Sequence, residues 1–309
     1  MPRPTGPATA AGYGHPSYAA SFAEFGTPRR LPRSGGWLLE RSIPHADARD
    51  AMGCYPLFVC QDWCALKTDL DAIDDLVSVS VVTDPFGDYD EALLTQTFQH
   101  VVTPFKTHYV TDLRRPTTEL GSRHHRYYAR KALERISVER CAEPEAWLDD
   151  WSALYAELTA RHHLRGITAF SRQTFAAQLR VPGMVMLRAV CDGATVGAHL
   201  WYKQGEVAQS HLAAANARGY ELMASYALYA RALEIFATEV SWLNLGAGAG
   251  LTVDAQDGLA RFKRGWATGA RPVHFCGRVL DPIGYERLAA HSRERAGGYF
   301  PAYRHGEFS

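Results

Sequence analysis

The sequence predicts an α/β (α+β) protein of two compact halves. With 309 residues the chain is about two domains long on the usual scale of roughly 100–200 residues each. Apolar, β-branched runs alternate along it with segments of helical spacing. Two turn signals, Asp192-Gly193 and Gln204-Gly205, separate strand-like runs and lay out an antiparallel meander.

Residues 1–14 are rich in Pro, Gly, Ala and Thr with few large apolar groups, which predicts a mobile tail. The run 76–83, LVSVSVVT, is apolar and β-branched and stops at Asp84-Pro85-Phe86-Gly87, so a buried strand is expected there. In 90–98 the spacing of Leu93, Leu94 and Phe98 predicts a helix, and THYVTDL, 107–113, a further strand. Ser122 can then cap a helix on which Tyr128, Ala132 and Ile136 recur every four residues while Arg123, Tyr127, Arg130 and Lys131 point elsewhere. This helix is expected to bridge the halves. It lies in a basic stretch, 114–135, with seven Lys or Arg against Glu119 and Glu134.

The second half opens at Pro144, which can start a helix carrying Trp147, Trp151, Leu154, Tyr155 and Leu158. A shorter helix is expected over 171–179, and the meander over 184–215. After Gly219, a stripe of Leu222, Tyr226, Tyr229, Leu233 and Phe236 predicts a helix, and TEVSWLNLG returns to strand.

Lys plus Arg and Asp plus Glu both number 33, 47% of residues are hydrophobic, and the mean hydropathy is −0.23. No global charge steers such a chain onto nucleic acid or anionic lipid. The N-terminal segment lacks the apolar core of a secretory signal, and no run approaches the roughly 18 apolar residues of a membrane span. A cytoplasmic protein is expected. Six cysteines are dispersed among apolar residues, which predicts reduced structural thiols. Cys60 and Cys64 have neither a second pair nor a His cluster nearby, so no metal is expected.

Four features carry candidate chemistry. WLNLGAGAG, 242–250, ends a strand on Gly246, Gly248 and Gly250, but too little chain follows for a dinucleotide-binding unit. A glycine-lined strand exit that approaches another segment or a ligand is the better reading. The loop AANARGYELMAS offers backbone N–H groups at a helix start, which suits an anion or serves only to connect. A two-residue turn at Gln204-Gly205 would pair Lys203 with Glu206 and His199 with Ser210, sending His211 with Gln209 to the other face unless a bulge intervenes. Either histidine is a candidate general base, and either can equally be a satisfied core residue. Finally, Phe262-Lys263 follows the glycines, where a held ammonium can steady an oxyanion or a donor phosphate, or be a solvated lysine on a short helix.

The order THYVTDL, RHHRYYARKALE, SVE, ASYALYARALEIFA, WLNLGAG and GLARFKRGW, from about 76 to 280, resembles the Fem-type branch of the GNAT acyltransferase superfamily. That branch includes peptidoglycan peptidyl-bridge transferases and acetyltransferase-like proteins of polysaccharide gene clusters. The resemblance implies two tandem GNAT-like subdomains with mixed, mostly antiparallel sheets: 15–143, including the basic bridging helix, and 144–309, carrying the acyl donor. A substrate groove between them is expected along 123–131 and 199–211. Lys263 matches the Phe-Lys position implicated in transfer, with His211, His199 and Ser210 as further catalytic candidates. Arg123, Arg126, Arg130, Lys131 and Phe262 are the implied substrate contacts. Arg218, Gly219, Ala224, Ser225, Asn244 and Gly246 are the implied donor contacts. Asn244 stands where an Asp is common, and the helical arm of some peptidoglycan members is missing, which favours a small or sugar-linked amine.

Three functions follow. The first is transfer of an acyl group, with acetyl expected, from coenzyme A to an amine on a small or sugar-linked substrate. The second is an aminoacyl-tRNA-dependent transfer, supported by the basic stretch and requiring salt-dependent binding. The third is a non-catalytic GNAT-like protein of polysaccharide assembly.

Overall fold

The computed structural model describes residues 11–250, 257–290 and 298–307. Residues 1–10 of the expected tail lie outside them, but the tail is shorter than expected, because Tyr13 is buried at 3% exposure. Pro16 starts α1 (Pro16–Ala20), and β1 (Thr27–Arg30), β2 (Trp37–Ser42) and β3 (Arg49–Gly53) then form an antiparallel meander. After α2 (Leu66–Asp71) the expected buried strand, β4 (Ser78–Val82), lies parallel to β3. Asp90 caps α3 (Glu91–Phe98), its carboxylate accepting from Leu93 N at 2.8 Å, and β5 (Val101–Asp112) follows.

Ser122 does cap the basic helix, α4 (Arg123–Leu133), which leads into β6 (Ser137–Arg140). The second half repeats the plan of the first. Helices α5 (Leu148–His162) and α6 (Arg172–Gln178) precede a second antiparallel meander, β7 (Met184–Cys191), β8 (Ala194–Gln204) and β9 (Val207–Ala215). Then α7 (Ala217–Glu221) and α8 (Ala224–Phe236) lead to β10 (Trp242–Gly246), which is parallel to β9. Helix α9 (Gly258–Trp266), β11 (Gly269–Val279) and α10 (Pro282–Ala289) close the chain.

All described strands join one mixed, mostly antiparallel sheet in the order β1-β2-β3-β4-β11-β5-β10-β9-β8-β7-β6. Its centre holds an exchange. Strand β5 follows β4 in sequence yet pairs with β10, whereas β11 follows β10 yet pairs with β4. The two exchanged strands pair with each other from Gly269–Val110 to Gly277–Val101. No single chain position therefore divides the sheet.

One face of the second half carries α4, α8 and α9 over a core that includes Trp201, Leu243, Phe236 and Trp266. The other face is covered by α1, α5 and α6 around Tyr18, Phe22, Trp151 and Tyr202. Strands β1 to β3 and helices α1, α2 and α10 were not among the sequence expectations. Among the described residues no helix is long and apolar enough to cross a membrane.

The expected β8–β9 register needs correction. The turn is Gly205-Glu206, with Gly205 at φ +55°, so Gln204 faces Val207 and Trp201 faces Ser210. An irregularity at Leu200/Trp201 then sets His199 opposite Ala213.

Helix α9 lies close against α4. Gly265 faces the ring of His125, where an added Cβ would come within 1.9 Å of Cε1. That ring is held at both nitrogens, by Ser122 Oγ at 2.8 Å and Phe262 O at 3.0 Å, and cannot step aside. We expect Gly265→Ala to lower unfolding free energy by about 1–3 kcal/mol, as overpacking does, measured by urea denaturation. An unchanged midpoint would mean that the two helices are free to separate.

Candidate functional site

The site forms where β10 ends. Gly246 turns the chain at φ +77°, a conformation that favours glycine, and an added Cβ there would sit 3.0 Å from Lys263 Nζ. Beyond the glycines, Asp257 caps α9, accepting from Leu259 N at 2.8 Å on Oδ1 and from Ala249 N at 2.6 Å on Oδ2. Lys263, in the second turn of α9, reaches back to donate to Ala247 O at 2.7 Å. Lys106, from β5, donates to Gly248 O at 3.2 Å and to Gly250 O. Two ammonium groups thus converge on the carbonyls of one loop.

Lys263 is half-buried, and the burial of its ammonium lowers its pKa to about 8, with Lys106 pushing the same way and Asp257 opposing. Burial likewise lowers Lys106. The charge of Lys263 is felt by His108 on one face of the sheet and by His199 on the other. Lys263 Nζ stands over Gly246, at the point where β10 ends.

A chain of buried polar side chains runs from this point across three strands. His108 Nδ1 lies 3.0 Å from Asn244 Oδ1, Asn244 Nδ2 donates to Gln209 Oε1 at 2.6 Å, and Gln209 Nε2 donates to Asp84 Oδ1 at 3.4 Å. Asn244 Oδ1 also accepts from Gly246 N at 3.0 Å, which fixes the strand exit. Burial lowers His108 to about 4, so it is neutral at pH 7, and with Asn244 oxygen as its partner Nδ1 carries the proton. Burial raises Asp84 to about 6.

The catalytic candidates separate. His199 is fully buried between Trp201 and Tyr229, with ring centroids at 4.2 and 4.8 Å, and Nε2 is 2.8 Å from Ser210 Oγ. His211 lies on the opposite face, with Nδ1 3.2 Å from Tyr13 Oη and Nε2 3.3 Å from Gln178 Oε1. Burial lowers His199 well below its ordinary value and His211 to about 3, so neither is poised to take a proton near neutrality. Being on opposite faces, they do not line one groove.

The donor candidates separate too. Gly219 N–H is already accepted by Asn216 Oδ1 at 2.9 Å, and Arg218 is exposed and paired with Glu221 at 3.1 Å. Ala224 and Ser225 start α8, whose N-cap Met223 supplies no capping side chain. Asn244 is engaged at both ends of its amide, and Gly246 shapes the loop under Lys263.

Phe262 packs against Tyr226 and Tyr229 at 4.9 and 5.0 Å, which anchors Lys263 on α9. Arg123, Arg126 and Arg130 with Tyr127 line a hollow of about 330 Å³ on the outer face of α4, and Lys131 is exposed beside them. This face is opposite the buried His125, Ala129 and Ala132. Lys106, His108, Gln209, Asp257 and Asp84 were not among the sequence's site candidates. The alternation of Lys106 and His108 on one strand was the available signal, and it lay at the edge of the strand expected from 107.

No family model matches the chain, and no curated protein matches it. Solved structures do. FemX is 14% identical with a TM-score of 0.66, covering 88% of this chain and 93% of its own. L-PGS from Bacillus licheniformis is 13% identical with a TM-score of 0.57, covering 94% and 99%. The C-terminal domain of a protein from Agrobacterium fabrum, described as a lysylphosphatidylglycerol synthetase, is 13% identical with a TM-score of 0.59, covering 91% and 92%. What is shared across nearly the whole of each chain is the fold: this protein has the fold of FemX and of these two structures.

Proposed function

We propose that this protein is an N-acyltransferase that moves an acyl group, acetyl in the simplest case, from coenzyme A to an amine on a small or sugar-linked substrate. The observation that carries this reading is the Lys263 ammonium, held on the glycine strand exit by Phe262 packing and a single carbonyl bond. When a neutral amine attacks a thioester, the C–N bond forms and negative charge gathers on the carbonyl oxygen. The C–S bond then breaks, and the proton shed by the new ammonium leaves the thiolate as a thiol. An ammonium already facing a carbonyl at 2.7 Å can transfer that hydrogen bond to the oxyanion. Lys106 adds positive potential at the same loop. Residues of both chain halves meet here, in keeping with two subdomains that share one site.

A second reading, with aminoacyl-tRNA as the donor, is favoured by the exposed Arg123, Arg126, Arg130 and Lys131 face of α4. Calorimetric titration with acetyl-CoA, charged tRNA and uncharged tRNA decides between the donors. Acetyl-CoA binding insensitive to an Arg126→Ala, Arg130→Ala double change supports the first reading. Binding only of tRNA, with an affinity that falls steeply with salt, supports the second. If neither donor binds, the non-catalytic reading stands.

Lys263→Met keeps length and removes charge. We expect turnover to fall by about 100- to 1,000-fold, the cost of losing one preorganised oxyanion partner, without a fall in melting temperature. Removing a partly desolvated charge does not destabilise. Unchanged turnover would make Lys263 structural.

The pH profile provides a second check. Because the lowered pKa of about 8 leaves Lys263 charged below that value and neutral above it, the wild-type rate should fall as pH rises through about 8. In Lys263→Met that alkaline decline should disappear from the residual rate.

A further inference from the structure

We infer that the hollow beside the Asp84 turn, at the starts of β9 and β10, binds a primary ammonium group of the substrate. Calling its owner the substrate rests on the proposed function; its binding does not. The hollow has a volume of about 440 Å³, within the range of roughly 300–1,000 Å³ common for ligand sites. Its lining brings together three carboxylates, Asp84, Asp88 and Glu206, and three aromatic rings, Trp63, Phe86 and Trp242. No Lys, Arg or His is in that lining.

The deepest of these groups is Asp84, 5% exposed. The turn that carries it is tightly tied, with Gly87 N donating to Asp84 O at 3.0 Å and Tyr89 Oη at 2.9 Å. Its protein donors, Phe86 N at 3.1 Å and Gln209 Nε2 at 3.4 Å, both go to Oδ1, and Asp84 lines the hollow. Arg271, the cation that acts on Asp84, does not fill this place. Its guanidinium lies 4.2 Å from the Phe86 ring and 4.9 Å from the Trp242 ring, and it donates to Pro85 O at 3.2 Å.

A phosphate or carboxylate ligand would meet the like charges of Asp84 and Glu206, and an apolar one would leave the Asp84 charge uncompensated. A neutral sugar could stack on the rings but would leave the carboxylate's charge unanswered. An ammonium answers both features, since it donates to carboxylate oxygens and is attracted to aromatic faces. The hollow lies at the start of β10 and the Lys263 loop at its end. From Asp84, hydrogen bonds through Gln209 and Asn244 lead to Gly246 N, at the strand exit that Lys263 overlooks.

Calorimetry tests the inference with butylamine against butanol and glucosamine against glucose. We expect at least one amine to bind about ten-fold or more tightly than its hydroxyl counterpart, and Asp84→Asn to abolish that preference. Asparagine keeps both Oδ1 bonds, so folding is retained. Asp88→Asn, on the exposed rim, provides a second variant and should weaken the amine alone.

Equal binding of amine and alcohol, no amine binding below about 10 mM, or an undiminished preference in both variants would each overturn the inference. Failure of the two readings is distinguishable. An amine preference with no transfer from any donor sinks the transfer and leaves the site standing. Transfer with an amine KM unchanged in Asp84→Asn sinks the site and leaves the transfer standing.

Discussion

Strands β5 and β11 each leave the half in which their chain segment begins and complete the sheet of the other, and the rest of the molecule depends on that exchange. Each half alone is a meander, β1 to β3 in the first and β7 to β9 with β6 at its edge in the second, with one parallel strand added, whose exposed edge would be open to pairing with another chain. The exchange covers both inner edges at once. It also assembles the site, because Lys106 and His108 come from β5 while Lys263 comes from the helix just before β11. Pairing Gly269 with Val110 and Arg271 with His108 fixes where these side chains lie relative to one another. Such long-range pairing costs loop-closure entropy before it returns any contact, so the site should form late in folding.

Within this frame, burial rather than close ion pairing sets the electrostatics. Lys263 and Lys106 point at backbone carbonyls, and their nearest carboxylate, Asp257, is occupied by the amides of Ala249 and Leu259. The result is a lysine with a pKa near 8, still charged at neutrality but weakly solvated. The surrounding histidines are held neutral by the same burial. A neutral His108 can anchor Asn244 without adding a third positive charge to the cluster. An aspartate in place of Asn244 would offer no Nδ2–H to Gln209 and would introduce a buried charge beside Lys263, so the amide suits this network.

Much of this order was legible in the sequence because it is local. Ser122 and Asp90 cap helices through their own side chains, and the β7 to β9 meander is punctuated by Gly193 and Gly205. The stripe of Tyr229, Leu233 and Phe236 needs only a period of 3.6, whereas Leu222, expected on the same helix, ends α7 before a break at Met223. What escaped is what depends on distant partners. Strands β1 to β3 carry Arg29, Glu40, Arg49 and Asp50 in ion pairs that mask an apolar pattern, as Asp50 with Arg304 does across most of the chain. His199 and His211 were read from alternation, and they do lie on opposite faces. Their burial, and with it their loss as bases, is set by Tyr229 and Trp201 on one side and Tyr13 and Tyr18 on the other. No spacing rule foresees Tyr13 closing over a strand almost two hundred residues away.

The network from Asp84 to Gly246 then has a physical rationale of its own. It separates a carboxylate-lined hollow from a pair of ammonium groups by neutral amides, so the opposite charges cannot neutralise each other through a direct salt bridge. Were Lys263 able to reach Asp84, their attraction would compete with the Ala247 carbonyl that Lys263 now holds and with the Phe86 and Gln209 donors that Asp84 now holds. Holding them apart keeps a negative end and a positive end available within one rigid sheet. The proposed function would use that division, with a cationic substrate attracted at one end and the acyl oxygen, which becomes an anion, met by a cation at the other. Asn244 and Gln209, whose amides donate at one end and accept at the other, can span the interval without carrying charge themselves.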